Sequence, residues 1–314
     1  MRNFDTSIGL LPLDHPLREI EPNTGTCPIE ECSGSGYKDT PSNFDVKAAD
    51  SLNRERGDVR TVSNVLTSNG YSRVSPAFVG QVSGDLGLAR DTFMASIRDL
   101  PPDRDCNAEN RRRRYHVFYY HPWCDSLESK PPEFDPGRKE WVMRFVQSAQ
   151  LNPEHKGRPR AFAPFTVEQR TNEFVRRTIR RCHSCLGLDP ADSVIIGAHI
   201  IQLIADRRAP AASSPDLLHR DGEKWTWAFL LERRNVVGGE NVIAHPDMAN
   251  KHPSEVPESG IIERFTLEEA FAGWVVQDDK VSHYVAPVSV ANDATAGWRT
   301  VFLLDFCRAI PELV

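Results

Sequence analysis

No stretch of the chain approaches the ~20 consecutive apolar residues that a membrane-spanning helix needs. The opening M-R-N-F-D-T-S-I-G-L-L-P-L-D has no apolar core long enough for a secretory leader, so the expected location is the cytoplasm, away from membranes. A large charge excess is also missing: 38 Lys and Arg against 44 Asp and Glu leave a net charge of -6. That balance favours solubility and argues against a nucleic-acid footprint. The consecutive arginines Arg111 to Arg114 are therefore read as a solvated strand entry or an anion site. Cysteine is scarce and odd in number, seven in 314 residues, in a chain long enough to build an ample core without staples. Reduced thiols are expected. Cys182 and Cys185 have the C-x-x-C spacing of zinc and redox sites, yet no second pair lies near them and they fall within a helical pattern. A structural zinc is not expected there. Internal repeats are absent.

Residues 1–44 are rich in Pro, Gly, Ser, Thr and acids and show little periodicity. They read as a flexible N-terminal arm, and residues 45–314 as a single domain. Apolar spacing predicts one or two helices between Val46 and Leu66, a break at Asn69-Gly70, and a short strand from Tyr71 to Val74. Leu86 to Leu100 reads as an amphipathic helix closed by Pro101-Pro102. Tyr115 to Tyr120 alternates as a strand, and Pro131 to Gly137 reads as a loop. Thr166 to Leu186 is the clearest helix, terminated by Gly187. From there the periodicity changes. Val194–Ile204, Trp225–Leu231, Asn241–Ala244, Trp274–Gln277, Val281–Val290 and Trp298–Phe306 all read as strands, with turns at Gly238-Gly239, Asp278-Asp279 and Gly297. Helices followed by many antiparallel-looking strands imply an α+β fold, a helical layer supporting a β-sandwich.

The chemistry is concentrated between Pro215 and Phe306. His219 and Asp221 stand two residues apart in H-R-D-G, and on an extended chain such residues share a face. His283, in K-V-S-H-Y-V-A-P-V, is a candidate third ligand. Two His and one carboxylate on one face of an octahedron, with the opposite face open, is the ligand set of non-haem Fe(II) oxygenases. Arg299 heads the apolar run V-F-L-L-D-F. A buried guanidinium there needs an anionic partner, and a carboxylate can meet it with two charge-assisted hydrogen bonds. Taken singly, these residues have plain readings: a loop salt bridge, a satisfied core histidine, an exposed strand charge. In this order they point to a metal site.

The ordered set H-R-D-G, G-G-E-N-V-I-A, S-H-Y-V-A-P-V and G-W-R-T-V-F-L-L-D-F resembles the 2-oxoglutarate/Fe(II)-dependent dioxygenases that hydroxylate free amino acids, the group typified by L-isoleucine dioxygenase. R-R-R-R-Y-H-V-F and I-I-G-A-H-I-I-Q extend the likeness over roughly residues 70–314. It implies a double-stranded β-helix, a jelly-roll and cupin relative, behind supporting N-terminal helices. Fe(II) would be held by His219, Asp221 and His283, and the distal carboxylate of 2-oxoglutarate by Arg299. Gln202 and Asn241 are candidates to touch 2-oxoglutarate. Arg114, Tyr119 and Trp227 are candidates to touch substrate, while His199 reads as a satisfied core histidine. The implied reaction consumes O2 and 2-oxoglutarate, releases succinate and CO2, and hydroxylates an unactivated C–H of a free aliphatic or cyclic amino acid of leucine, isoleucine, proline or pipecolate type.

Three alternatives stand beside it. The same oxygenase chemistry can act on a secondary-metabolite intermediate. A zinc-dependent cupin-like hydrolase or isomerase would use the ligand set without needing Arg299. A non-catalytic interaction module would need none of these residues.

Overall fold

A computed structural model describes residues 58–105, 110–146, 158–213, 215–291 and 294–309. The N-terminal arm and residues 46–57 of the first helical stretch lie outside them. The described residues all belong to the unit Lys47–Val314.

Four helices precede or punctuate the first strands: α1 over residues 58–69, α2 Gly84–Ser96, α3 Val167–Thr171 and α4 Glu173–Ser184. The strands of the first half are β1 Tyr71–Val74, β2 Arg111–His121, β3 Ser126–Ser129, β4 Glu133–Asp135, β5 Glu140–Phe145 and β6 Arg160–Phe162. Those of the second half are β7 Val194–Asp206, β8 Trp225–Arg234, β9 Val236–Gly238, β10 Glu240–Ala244, β11 Ile261–Thr266, β12 Gly273–Gln277, β13 Ser282–Val285, β14 Val288–Val290 and β15 Ala296–Arg308. A long antiparallel sheet has the order β1-β12-β8-β15-β7-β2-β3, and a short one the order β11-β10-β13. Two smaller sheets, β14-β9 and β4-β5-β6, complete the set.

The two faces of the long sheet do different jobs because side chains alternate along every strand. On the outer face Ile196, Ala198, Ile200, Trp227, Phe229, Phe302, Leu304 and Phe306 pack against Phe93 of α2 and Phe174, Val175 and Ile179 of α4. Each such side chain contributes about 1.5–3 kcal/mol when fully buried. On the inner face Ala228, Leu230, Trp274, Val276 and Val301 meet Ile243 and Phe265 of the short sheet. Covering both faces explains why β7 and β15 read as almost continuous apolar runs. The result is a jelly-roll core with helices outside.

The boundaries shift where one residue overrides the periodicity. The expected helix from Thr166 to Leu186 breaks at Asn172, whose extended backbone and side chain accepting from the N–H of Phe174 and Val175 start α4 afresh. The expected strand Val281–Val290 divides before Pro287, so that β13 pairs with β10 and β14 with β9. The stretch read as a loop over 131–137 contains β4, held to β5 by ion pairs of Arg144 with Glu133 and Asp135. Its charged, exposed sequence carries no apolar alternation to announce a strand.

Candidate active site

His219 lies in no regular strand. Its N–H and carbonyl pair with those of His283 on β13 at 2.9 Å each, an isolated bridge that brings the rings 4.3 Å apart. The chain then turns at Gly222 (φ +95) into β8, so a turn, not an extended face, aims Asp221 back at the histidines. Asp221 Oδ1 is 3.6 Å from His219 Nε2, and Oδ2 is 3.2 Å from His283 Nε2. The three ligand-type atoms lie within 4.8 Å of one another. Asp278 clamps the turn, accepting from the N–H of Asp221 at 2.8 Å and of Gly222 at 3.0 Å.

The donor set fits a divalent transition metal. Leu217 O, which can only accept, sits 2.9 Å from His219 Nδ1, so that nitrogen carries the proton and Nε2 offers its lone pair. Burial, then His283, pulls His219 down to about 4, leaving it neutral. Burial would also lower His283, but the charge and hydrogen bond of Asp221 outweigh it and raise the imidazole. Against its own burial, Asp221 is held below the ordinary carboxylate range by His283, His219 and Thr226. Burial, then Asp221, pushes Asp278 up to about 6.

A polar chain runs from Asp221 across the inner face. The Thr226 hydroxyl lies 3.2 Å from Asp221 Oδ2 and 3.1 Å from Asp305 Oδ1. Asp305 Oδ2 is 2.9 Å from His199 Nε2, and His199 Nδ1 is 2.6 Å from Arg113 Nη2. Arginine only donates, so Nδ1 of His199 accepts and Nε2–H donates to Asp305. Burial, then Asp221, pushes Asp305 well up, while Thr226 and Arg113 act the other way, and the Thr226 hydroxyl is placed to donate to either carboxylate.

Arg299 is 4 % exposed and lies on β15 opposite Arg233 of β8. Burial, then Arg233, lowers it to about 10. Arg299 Nε and Arg233 Nη1 are both buried without a hydrogen-bond partner. Each such N–H costs about 1–3 kcal/mol while unsatisfied. Both side chains crowd Gly239 (φ +70): a Cβ there would lie 3.3 Å from Arg233 Nη1 and from Arg299 Cδ. The buried Arg299 and the half-buried Arg233, whose Nη2 donates to the Val236 carbonyl, make with their orphaned N–H groups a site for a carboxylate.

Residues 94–305 match the family model described as 2OG-Fe dioxygenase. The chain belongs to that family. Over 120 residues it is 31% identical to the 3(1)-hydroxy-L-isoleucine 4-dioxygenase of Pantoea ananatis (strain AJ13355), a match covering 38% of this chain and 44% of the relative. Over 167 residues it is 26% identical to the L-isoleucine-4-hydroxylase of Bacillus thuringiensis, covering 52% of this chain and 64% of the relative. The matches thus span less than two thirds of either relative. The solved structure of IDO from Bacillus thuringiensis superposes with a TM-score of 0.62 at 18% identity, covering 80% of this chain and 100% of that one. That likeness shows the jelly-roll fold. The cofactor set of 2OG-Fe dioxygenases is Fe(II) with 2-oxoglutarate and O2, the set expected from the motifs.

Within the 2OG-Fe dioxygenase fold, three residues expected at ligands point the wrong way. Gln202 and Arg114 share the strand parity of Ile200 and face outward. Gln202 donates to Thr300 at 3.1 Å and Arg114 to the Pro164 carbonyl at 2.6 Å. Trp227 is fully buried among the outer-face aromatics, stacked 5.5 Å from Phe78. All three corrections follow from alternation: the neighbours Arg113, Leu203 and Thr226 take the inner face. Asn241 does face inward, but its amide is occupied, accepting from Trp274 Nε1 at 3.0 Å and donating toward Gly239 O and Phe265 O. It ties the hairpin to the long sheet. Tyr119 is on the inner face, half-buried beside Tyr115 and Val117.

Thr226, Asp278, Asp305 and Arg233 escaped the sequence reading as site residues, whereas Arg113 lies in the arginine run read as a strand entry or an anion site. Counting by twos from His199 and Arg299 would have flagged Asp305, but its pairing with His199 needs the β7–β15 register. Cys182 and Cys185 are both buried in the helical core. Burial raises both thiols, Cys185 to about 12.

Proposed function

We propose that this 2OG-Fe dioxygenase chain hydroxylates an unactivated C–H of a free aliphatic L-amino acid of the isoleucine and leucine kind, with cyclic amino acids of proline or pipecolate type as secondary candidates. One arrangement carries the reading: a His–Asp–His set converging on one point, with the buried Arg299 beside Arg233 and no ion pair to either arginine among the described residues. In this reading His219, Asp221 and His283 hold Fe(II), and Arg299 takes the distal carboxylate of 2-oxoglutarate. Bound iron with 2-oxoglutarate and O2 supplies the oxidant for the C–H bond, with succinate and CO2 as co-products.

The protein's share is positional. Leu217 presents His219 through Nε2, Asp221 faces both histidines, Asp278 holds the turn, and the apolar cluster of Ile243, Phe265, Trp274 and Val301 keeps the interior dry. Neither histidine has to act as acid or base, since both serve in the neutral form. The names of the two curated relatives favour an isoleucine-type substrate. The zinc hydrolase alternative leaves Arg299 and its orphaned Nε without a purpose.

The test is anaerobic addition of Fe(II) and 2-oxoglutarate to metal-free protein, followed by visible absorption. A weak charge-transfer band is expected, reduced in Arg299→Ala at limiting 2-oxoglutarate. Tight zinc binding with no such band would replace this reading with the hydrolase or isomerase one.

A further inference from the structure

Two residues of opposite charge type, the buried Arg113 on β2 and the half-buried Glu223 in the loop before β8, carry shielded polar atoms without a hydrogen-bond partner. Arg113 is 5 % exposed and in register with Ile201, which pairs in turn with Val301, so it shares a face with Arg299 and His199. Its guanidinium lies over the Phe162 ring at 4.3 Å and gives one N–H to His199, an uncharged imidazole. Its Nε is buried without a partner. The neighbouring Arg111 has its counter-ion, Asp103, at 3.1 Å, whereas no carboxylate forms an ion pair with Arg113 among the described residues, Asp103 and Asp305 acting on it only from beyond ion-pair distance. Burial disfavours a guanidinium left in that state until an anion arrives.

Glu223 mirrors this. Its Oε2 is shielded from solvent and has no hydrogen-bond partner. The side-chain charges that act on it are those of Asp305, Asp221 and Asp278, all carboxylates and no cation. The two do not pair with each other. Both nevertheless act, in opposite directions, on the Tyr115 phenol. Tyr115 is itself fixed, stacked 4.4 Å from His199 with its edge over Gly197, where a Cβ would stand 3.2 Å from Tyr115 Cε2. Phe145 and Phe162 pack edge-on to Tyr115 and add an apolar wall.

We propose that Arg113 and Glu223 are the two poles of a zwitterion site, Arg113 receiving the α-carboxylate and Glu223 the α-ammonium of a free amino acid lying against Tyr115. This rests on the amino acid hydroxylase reading and makes it specific: the ligand must carry both charges. Glu223 follows Asp221 by two residues, and Arg113 reaches Asp221 through His199, Asp305 and Thr226. Both poles are thus tied to the loop that carries the metal ligand. The aliphatic side chain finds its partners in the aromatic wall.

The experiment starts with the twenty free amino acids, screened for 2-oxoglutarate-dependent succinate formation. The accepted one is then compared with its N-acetyl and carboxamide derivatives in the wild type, Arg113→Gln, Arg113→Lys and Glu223→Gln. Dissociation constants are measured in parallel by calorimetry on the turnover-silent zinc-loaded proteins. The wild type should lose at least about 100-fold in kcat/KM on either derivative, because each leaves one buried pole unpaired. Arg113→Gln should raise KM and Kd for the amino acid about 100-fold with a smaller change in kcat, and erase the discrimination against the carboxamide while keeping that against the N-acetyl form. Glu223→Gln should do the reverse, and Arg113→Lys should recover part of the loss.

That crossed pattern is not produced by a folding defect, and Glu223→Gln carries the test if Arg113→Gln fails to fold. Folded variants with wild-type KM, or equal losses on all three ligands, would overturn the zwitterion site. If no free amino acid is accepted although the charge-transfer band responds to Arg299→Ala, the amino acid reading itself fails, a result distinct from an accepted amino acid that ignores both substitutions.

Discussion

The Thr226 hydroxyl donates to Asp221 Oδ2 across 3.2 Å while also lying 3.1 Å from Asp305. One hydroxyl therefore sets the orientation of the carboxylate that faces both histidines. Partners of this kind are worth about 10–100-fold in metal affinity. Thr226→Val should weaken Co(II) or Fe(II) binding by about tenfold, and Thr226→Ser should restore it. Unchanged binding by Thr226→Val would mean that Asp221 is held by its backbone alone.

Metal affinity should fall as pH drops toward 6. His283 is raised above its ordinary 6.5 by Asp221, so below that raised value the metal must displace a proton, losing about tenfold in affinity per pH unit for one bound proton. His219, held at about 4, adds no competition in this range. The sign reverses for the metal-free fold: a raised His283 contributes stability that is fully present below pH 6.5 and disappears as pH rises through its folded pKa. Zinc titrations between pH 6 and 8 measure the first effect, and a flat profile would contradict it.

Gly239→Ala should damage 2-oxoglutarate binding more than stability. At φ +70 an alanine is strained by about 1 kcal/mol, a modest loss for the fold. Its Cβ would also stand 3.0 Å from Val288 Cγ1 and 3.3 Å from Arg299 Cδ, displacing the arginine. KM for 2-oxoglutarate should rise about tenfold, as follows from roughly 1.4 kcal/mol of lost contact, with amino acid KM changing less. Equal changes in both would show a general collapse of the hairpin.

Trp227 should behave as a core residue. Trp227→Ala removes a side chain stacked on Phe78 and Phe229 and should cost about 3–5 kcal/mol in urea unfolding. Trp227→Phe keeps most of the packing and removes an Nε1–H that has no partner, so its cost should stay below about 1.5 kcal/mol, with amino acid KM unchanged. A large KM effect from Trp227→Phe would return this residue to the pocket.

Much of the site was legible because metal chemistry restricts residue types. His219, Asp221, His283 and Arg299 stand in order along the chain, each beside a turn or an apolar run, and the structure brings the first three together. The supporting residues were harder to see. Thr226 and Asp305 are ordinary strand polars until the β8–β15 register places them side by side, and Asp278 looked like a plain turn residue until the H-R-D-G turn folded onto it. The short strands β3, β4, β5, β6, β9 and β11 were missed because each has six residues or fewer and several are charged, so no hydrophobic period marks them.

By itself the sequence determined the class of fold, helices ahead of many strands, and the inventory of chemistry: two histidines, a carboxylate and a buried cation. Those follow from periodicity and from the cost of burying charge, both local properties. Tertiary structure alone decided which face each side chain took. In R-R-R-R a step of one residue separates Arg113, on the inner face with His199, from Arg114, bonded to Pro164 outside. Strand parity is invisible until the partners are known, because a pleated chain turns successive side chains to opposite faces and only pairing says which face is inside.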